Sequence, residues 1–185
     1  SKHGIDTNKV VWIEYPNKSD VTDDLHNKVS LSLSTHTKGQ TCVTYKHYIA
    51  IKDLYYNDSE PGVIMEDNIK FFGNVIEAIK RYIANMNDNW NILFDSDILS
   101  VSSYKMFKPP PSPSCVMLSN GYSPSKGANF VLINKNCYQK LYDSYLPYKM
   151  HSDHNYNRVI REKKLKSYWA VPYNVHYRNL KSSWT

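Results

Sequence analysis

The chain has 185 residues, 41% of them hydrophobic, and a formal net charge of +6, which suits one domain with a packed core. Its apolar runs are too short to span a bilayer, and its first residues lack the apolar core of a signal peptide. The lysines are dispersed, closing up only at Lys163, Lys164 and Lys166, and arginine is confined to Arg81, Arg158, Arg161 and Arg178, so a basic surface suited to a small anionic ligand is expected and a nucleic-acid partner is not.

In chain order, Val10-Val-Trp-Ile-Glu-Tyr15 predicts a short buried strand closed by Pro16-Asn17. The alternating run Val29-Ser-Leu-Ser-Leu33 predicts an edge strand. A helix follows from Thr41 to about Tyr56, with Thr41 as N-cap and Cys42, Tyr45 and Ile49 on one stripe. Pro61-Gly62 then punctuates, and Val63 to Met65 reads as a strand. Asn74 caps the most regular helix, whose Ile76, Ile79, Ile83 and Met86 share one face, and Ile92 to Phe94 forms the next strand.

Residues 100 to 128 carry Pro109-Pro-Pro111, Pro113, several serines and Asn120-Gly121. This composition predicts an extended loop, either an active-site flap or a disordered excursion. Asn129 to Ile133 returns as a strand, Asn134 to about Leu146 as a capped helix, and Ser152 caps a further helix through Lys164. Tyr168 to Val171 is a late strand. Strands alternating with helices predict one α/β domain over residues 1 to 185, with a mainly parallel sheet flanked by helices. Cys42, Cys115 and Cys137 are odd in number and far apart, which predicts neither a disulfide framework nor a zinc ribbon and points to a reducing compartment such as the cytoplasm. A start at Ser1 without an initiating Met is expected of a trimmed or processed chain.

The residues that carry chemistry begin where the Val63 to Met65 strand runs straight into Glu66, Asp67 and Asn68. Two carboxylates and an amide at the rim of a core call for a partner that engages several oxygens at once, and a divalent cation does so; turn chemistry also favours acidic and amide residues there. Asp95-Ser96-Asp97 repeats the pattern after another strand, as a turn or as a carboxylate that compensates for Asn68. Asp153 lies at a helix start, where the dipole favours a carboxylate, and is the candidate general base.

Six blocks carry a family resemblance: Gly39-Gln-Thr-Cys42 through Lys46-His47, Gly62 through Glu66-Asp67-Asn68, Asn91-Ile-Leu-Phe94, Lys126-Gly-Ala-Asn-Phe-Val-Leu-Ile133, Tyr148 through Asp153-His154, and Tyr168-Trp-Ala-Val-Pro172. In this order, over residues 29 to 177, the chain resembles glycosyltransferase family 25, the lipopolysaccharide and procollagen galactosyltransferase type. Asn68 stands where the family has a second Asp and Lys46 where it has Ser, and the family's usual first strand is not visible.

The resemblance implies a GT-A-like nucleotide-diphospho-sugar transferase fold. It further implies inverting transfer of galactose or glucose from a UDP-sugar to a hydroxyl of a protein or glycan acceptor, with Mn2+ or Mg2+. On that reading Glu66, Asp67 and Asn68 contact metal, diphosphate or ribose, and His47 packs or touches the donor. Asp153 takes the acceptor proton, and His176, after the last strand, is a third metal ligand. Two other readings remain open: a non-catalytic descendant that binds carbohydrate or a surface partner, and a metal-dependent phosphohydrolase or nucleotidyltransferase, which requires Asp95 or Asp97 to approach Asp67.

Overall fold

The computed structural model describes residues 3–31, 36–57, 61–86, 88–95, 115–117, 127–170 and 173–177. The first three α-helices start where side chains satisfy free backbone amides. Thr22 Oγ1 accepts from Leu25 N at 3.1 Å to open α1 (Asp23–Val29). Helix α2 (Lys38–Asn57) begins ahead of the expected Thr41, because Thr37 and Gln40 form a reciprocal box. Thr37 N donates to Gln40 Oε1 at 2.8 Å, and Gln40 N donates to Thr37 Oγ1 at 3.3 Å. Thr41 is therefore inside the helix, its hydroxyl bonded back to the Thr37 carbonyl.

Asn74 caps α3 (Val75–Asn85) as expected, Oδ1 accepting from the Ile76 and Glu77 amides. Asn134 caps a short 3-10 turn that leads into α4 (Tyr138–Tyr145). In α5 (Ser152–Glu162) the N-cap position is His151, so Ser152 is the first helical residue and not the cap.

The strands are β1 (Gly62–Met65), β2 (Ile69–Phe71), β3 (Ile92–Phe94), β4 (Cys115–Met117), β5 (Phe130–Ile133), β6 (Ser167–Ala170) and β7 (Val175–Tyr177). Five of them form one sheet in the order β1-β5-β3-β6-β4, and β2 and β7 form a separate antiparallel ribbon. The class is mixed α/β. The expected mainly parallel sheet is corrected: only β3 and β6 pair in parallel, whereas β1 with β5, β3 with β5, and β4 with β6 are antiparallel. The cause is β5, which inserts between β1 and β3 in the opposite direction, so the β1 to α3 to β3 connection passes over it.

Two other strands expected from sequence are also corrected. Val29 ends α1, and Ser30 makes only an isolated bridge to Tyr148; residues 32 and 33 lie outside the described residues. Residues 10 to 15 pair with no described strand, and Val11, Trp12 and Tyr15 are 64%, 70% and 60% exposed. Of the loop expected over 100 to 128, residues 115–117 form β4 and 127–128 lead into β5, while the rest lies outside the described residues.

Both faces of the sheet are covered, which is why β3 and β5 are continuous apolar runs. On one face Ile64, Phe94, Val131 and Trp169 pack with Ile51 of α2, Leu141 of α4 and Tyr156 of α5. On the other, Leu93, Phe130, Leu132 and Tyr168 pack with Ala78, Ile79 and Tyr82 of α3. The period of two along a strand then assigns the polar residues at the strand ends: Glu66 follows Ile64 onto the α2 side, and Asp95 follows Leu93 onto the α3 side.

Asp95 is fully buried. Its Oδ1 accepts from the amides of Asn174 at 2.8 Å and Val175 at 3.3 Å, which fixes the entry into β7, and its Oδ2 has no hydrogen-bond partner among the described residues. Burial pushes its pKa up to about 7, against the opposing pull of the two amides and of Arg81. The proton is held more tightly in the folded chain than in the unfolded one, where the ordinary value is 3.8. Stability from this group is therefore full below about pH 4 and is lost as pH rises toward 7, at about 1.4 kcal/mol per pH unit. Asp95→Asn keeps the Oδ1 acceptor and cannot ionise; urea melts from pH 4 to 8 are expected to show a flatter pH dependence for the variant and greater stability than the parent above pH 7.

Candidate functional site

The strand β1 ends on Glu66, whose amide donates to the Asn129 carbonyl at 2.9 Å, one step beyond the β1–β5 ladder. That register sets the two side chains beside each other, and Asn129 Nδ2 donates to Glu66 Oε2 at 2.7 Å. On the other side His47 of α2, almost fully buried, places Nε2 at 3.6 Å from Glu66 Oε1. The Asn68 amide lies near the same carboxylate and helps to favour its charged form. Burial pushes the Glu66 pKa up, but His47, Asn129 and Asn68 together outweigh it and hold the group below the usual glutamate value.

A carboxylate is an acceptor only, so Asn129 must turn its NH2 group toward it, and its carbonyl oxygen then points elsewhere. Asn68 Oδ1 and Asn129 Oδ1 are both buried without a hydrogen-bond partner among the described residues, although Asn129 as a whole is only 4% exposed. Buried unpaired acceptors are costly, and this corner carries two of them among the described residues. Asp67, between Glu66 and Asn68, is exposed.

A closed circuit of contacts ties this corner to α5. His47 Nδ1 lies 3.4 Å from the Tyr156 hydroxyl, and Tyr156 is one helical turn past Asp153. Asp153 Oδ2 accepts from the Gly127 amide at 3.1 Å, and Gly127 precedes Asn129 by two residues. Asp153 Oδ1 also accepts from the His154 amide at 2.8 Å, as suits a helix start. Gly127 has a positive φ of 100°, a backbone that a side chain would strain.

Of the residues expected from sequence, His47 and Asn68 thus both lie beside Glu66, and Asp153 is joined to this corner through Gly127 and Tyr156. His176 is placed elsewhere, on β7 opposite Lys70, with its ring 5.9 Å from Phe72. Among the described residues no group of three or more His, Cys, Asp or Glu side chains is arranged to hold a metal. Asp95 faces the α3 side, and Asp97 lies outside the described residues. Asn129 and Tyr156 were not expected from sequence. Nothing in the spacing ties Asn129 to Glu66 across 63 residues, but the i, i+3 relation to Asp153 could have flagged Tyr156.

The Glu66 arrangement yields a signed pH prediction. A pKa held below the ordinary 4.5 contributes stability that is present above that value and lost as pH falls through the folded one. Glu66→Gln brings an NH2 group against that of Asn129, so it is expected to lower the urea midpoint at pH 7 and to remove part of the acid sensitivity of the parent below pH 4.5, both read from urea melts over pH 2.5 to 7. No protein-family model, curated protein or solved structure matches the chain.

Proposed function

We propose that the chain is a transferase domain that moves a hexose, galactose or glucose, from a UDP-sugar to a hydroxyl of a protein or glycan acceptor, on a GT-A-like fold. The observation that carries this reading is the pair of buried amide oxygens on Asn68 and Asn129 that have no hydrogen-bond partner among the described residues, close to Glu66 and the exposed Asp67. The resemblance of the six sequence blocks to glycosyltransferase family 25 supplies the reaction class.

These oxygens are hard donors and fit Mn2+ or Mg2+. Asp67, Asn68 and Asn129 would hold the ion, which when bound supplies charge neutralisation to the departing diphosphate. Glu66 holds the Asn129 amide in orientation instead of coordinating, because its own oxygens are already engaged. His47, braced by Tyr156, keeps Glu66 in place. Asp153 is the base that accepts the acceptor proton, at the start of α5 where its carboxylate meets the Gly127 and His154 amides. His176, on the β2–β7 ribbon, has no part in this assignment.

A second reading is favoured by one observation: Asn68 is uncharged and the carboxylate at Glu66 is internally satisfied, which a binding protein without turnover would retain. The phosphohydrolase reading needs a further carboxylate beside Asp67, and Asp95 is committed to Asn174 and Val175.

The test is release of UDP from UDP-galactose and UDP-glucose with Mn2+, with and without simple acceptors. Asp67→Ala is expected to weaken donor binding and turnover together. Asp153→Ala is expected to lower kcat by about a hundredfold or more with donor binding retained. Binding of UDP-sugar with no turnover by the parent chain would establish the binding-protein reading instead, and failure to bind any nucleotide sugar would overturn both.

A further inference from the structure

Helices α2 and α4 meet along a row of tyrosines. Tyr48 and Tyr55 are seven residues apart on α2, so they share a face and stand about 10.5 Å apart along its axis, which leaves room for one ring between them. Tyr142 of α4 takes that place. Its ring stacks on Tyr48 at 5.6 Å and 11° and on Tyr55 at 5.1 Å and 10°. Tyr45 extends the row at one end, stacked on Tyr48 at 5.8 Å. At the other end Tyr56 stands edge-on, its ring centre 5.0 Å from Tyr55 and 5.8 Å from Tyr142.

Packing accounts for most of this row, since Tyr48, Tyr55 and Tyr142 are partly buried against the core. It does not account for Tyr56, which is 64% exposed. Its hydroxyl comes close enough to that of Tyr142 for the Tyr142 hydroxyl to raise the Tyr56 pKa. The carbons ortho to a phenolic oxygen flank that oxygen, so two hydroxyls that meet bring two ortho carbons together. The ring planes are 73° apart. The rings of a biaryl are also twisted about the bond that joins them.

We propose that Tyr56 and Tyr142 form a site of oxidative cross-linking, at which a haem peroxidase acting with hydrogen peroxide joins the two rings through their ortho carbons and locks α2 to α4. The exposed Tyr56 gives one electron and its phenolic proton to the oxidant, then takes the hydroxyl hydrogen atom of Tyr142. A second oxidation of Tyr56 leaves both rings as phenoxyl radicals. Their unpaired electrons make one carbon–carbon bond, and each ortho carbon releases its hydrogen as a proton while each oxygen regains one. The chain loses two hydrogen atoms in all, and the peroxide is reduced to two waters. The candidate site at Glu66 takes no part, so this inference stands apart from the reading of that site.

The experiment treats dilute parent chain, Tyr56→Phe, Tyr142→Phe and Tyr15→Phe with a haem peroxidase and hydrogen peroxide, with melting temperatures before oxidation as the folding control. Tyr15, 60% exposed and outside the row, controls for general surface oxidation. The parent is expected to give a monomer lighter by two hydrogen atoms, with dityrosine fluorescence and a peptide map that joins residues 56 and 142. That product is expected to melt above the untreated chain, because a link between residues so far apart in sequence restricts the unfolded state. Tyr56→Phe and Tyr142→Phe lose the monomer fluorescence, and Tyr15→Phe keeps it. Should Tyr142→Phe fold poorly, the exposed Tyr56→Phe carries the comparison alone. Cross-links found only between chains, a monomer link at other tyrosines, or an equal yield of the 56 to 142 link from chain unfolded in urea would overturn the proposal.

Discussion

The carboxylate of Glu66 is the constraint on which the site depends. It sits where β1 leaves the sheet, and it can only accept hydrogen bonds, so every polar group placed against it must present a donor. Asn129 reaches it from the start of β5 with its NH2 group, His47 faces it from α2, and Asn68 lies near it in the turn after β1. The arrangement joins a strand, its neighbour and the covering helix through one side chain. It also turns the Asn129 amide oxygen away from Glu66, and that oxygen and Asn68 Oδ1 have no hydrogen-bond partner among the described residues.

The sheet divides two chemistries by parity. Ile64 and Glu66 point toward α2, α4 and α5, whereas Leu93 and Asp95 point toward α3. The two acidic residues look alike in sequence, each following a short apolar strand. Their environments differ: Glu66 has side-chain neighbours that favour its charged form, while Asp95 is fully buried with two backbone amides on one oxygen and no partner for the other among the described residues. One is a candidate organiser of a polar site and the other a buried clamp on the start of β7.

Sequence reading succeeded where the signal is local. Asn74 followed by Ile76, Ile79 and Ile83 specifies a cap and one apolar face, and the helix lies there. The start of α2 was misplaced because Thr37, four residues before the more conspicuous Thr41, forms a reciprocal cap with Gln40. Strand direction was not legible, since β5 enters between β1 and β3 through pairing that no local pattern encodes. Residues 10 to 15 have the composition of a strand and lack a strand to pair with, so tertiary placement overrode propensity. In the site, the Glu66 to Asn68 turn and His47 could be singled out from their positions, but Asn129 could not, because its role exists only through the antiparallel register of β5 on β1.

The most direct test of this account is a crystal structure of the chain grown with UDP and Mn2+. The account predicts density for the ion or a phosphate within bonding distance of Asn68 Oδ1 and Asp67, with the NH2 group of Asn129 still on Glu66. A structure in which those two amide oxygens are satisfied by protein groups, and the nucleotide is absent or bound elsewhere, would contradict it.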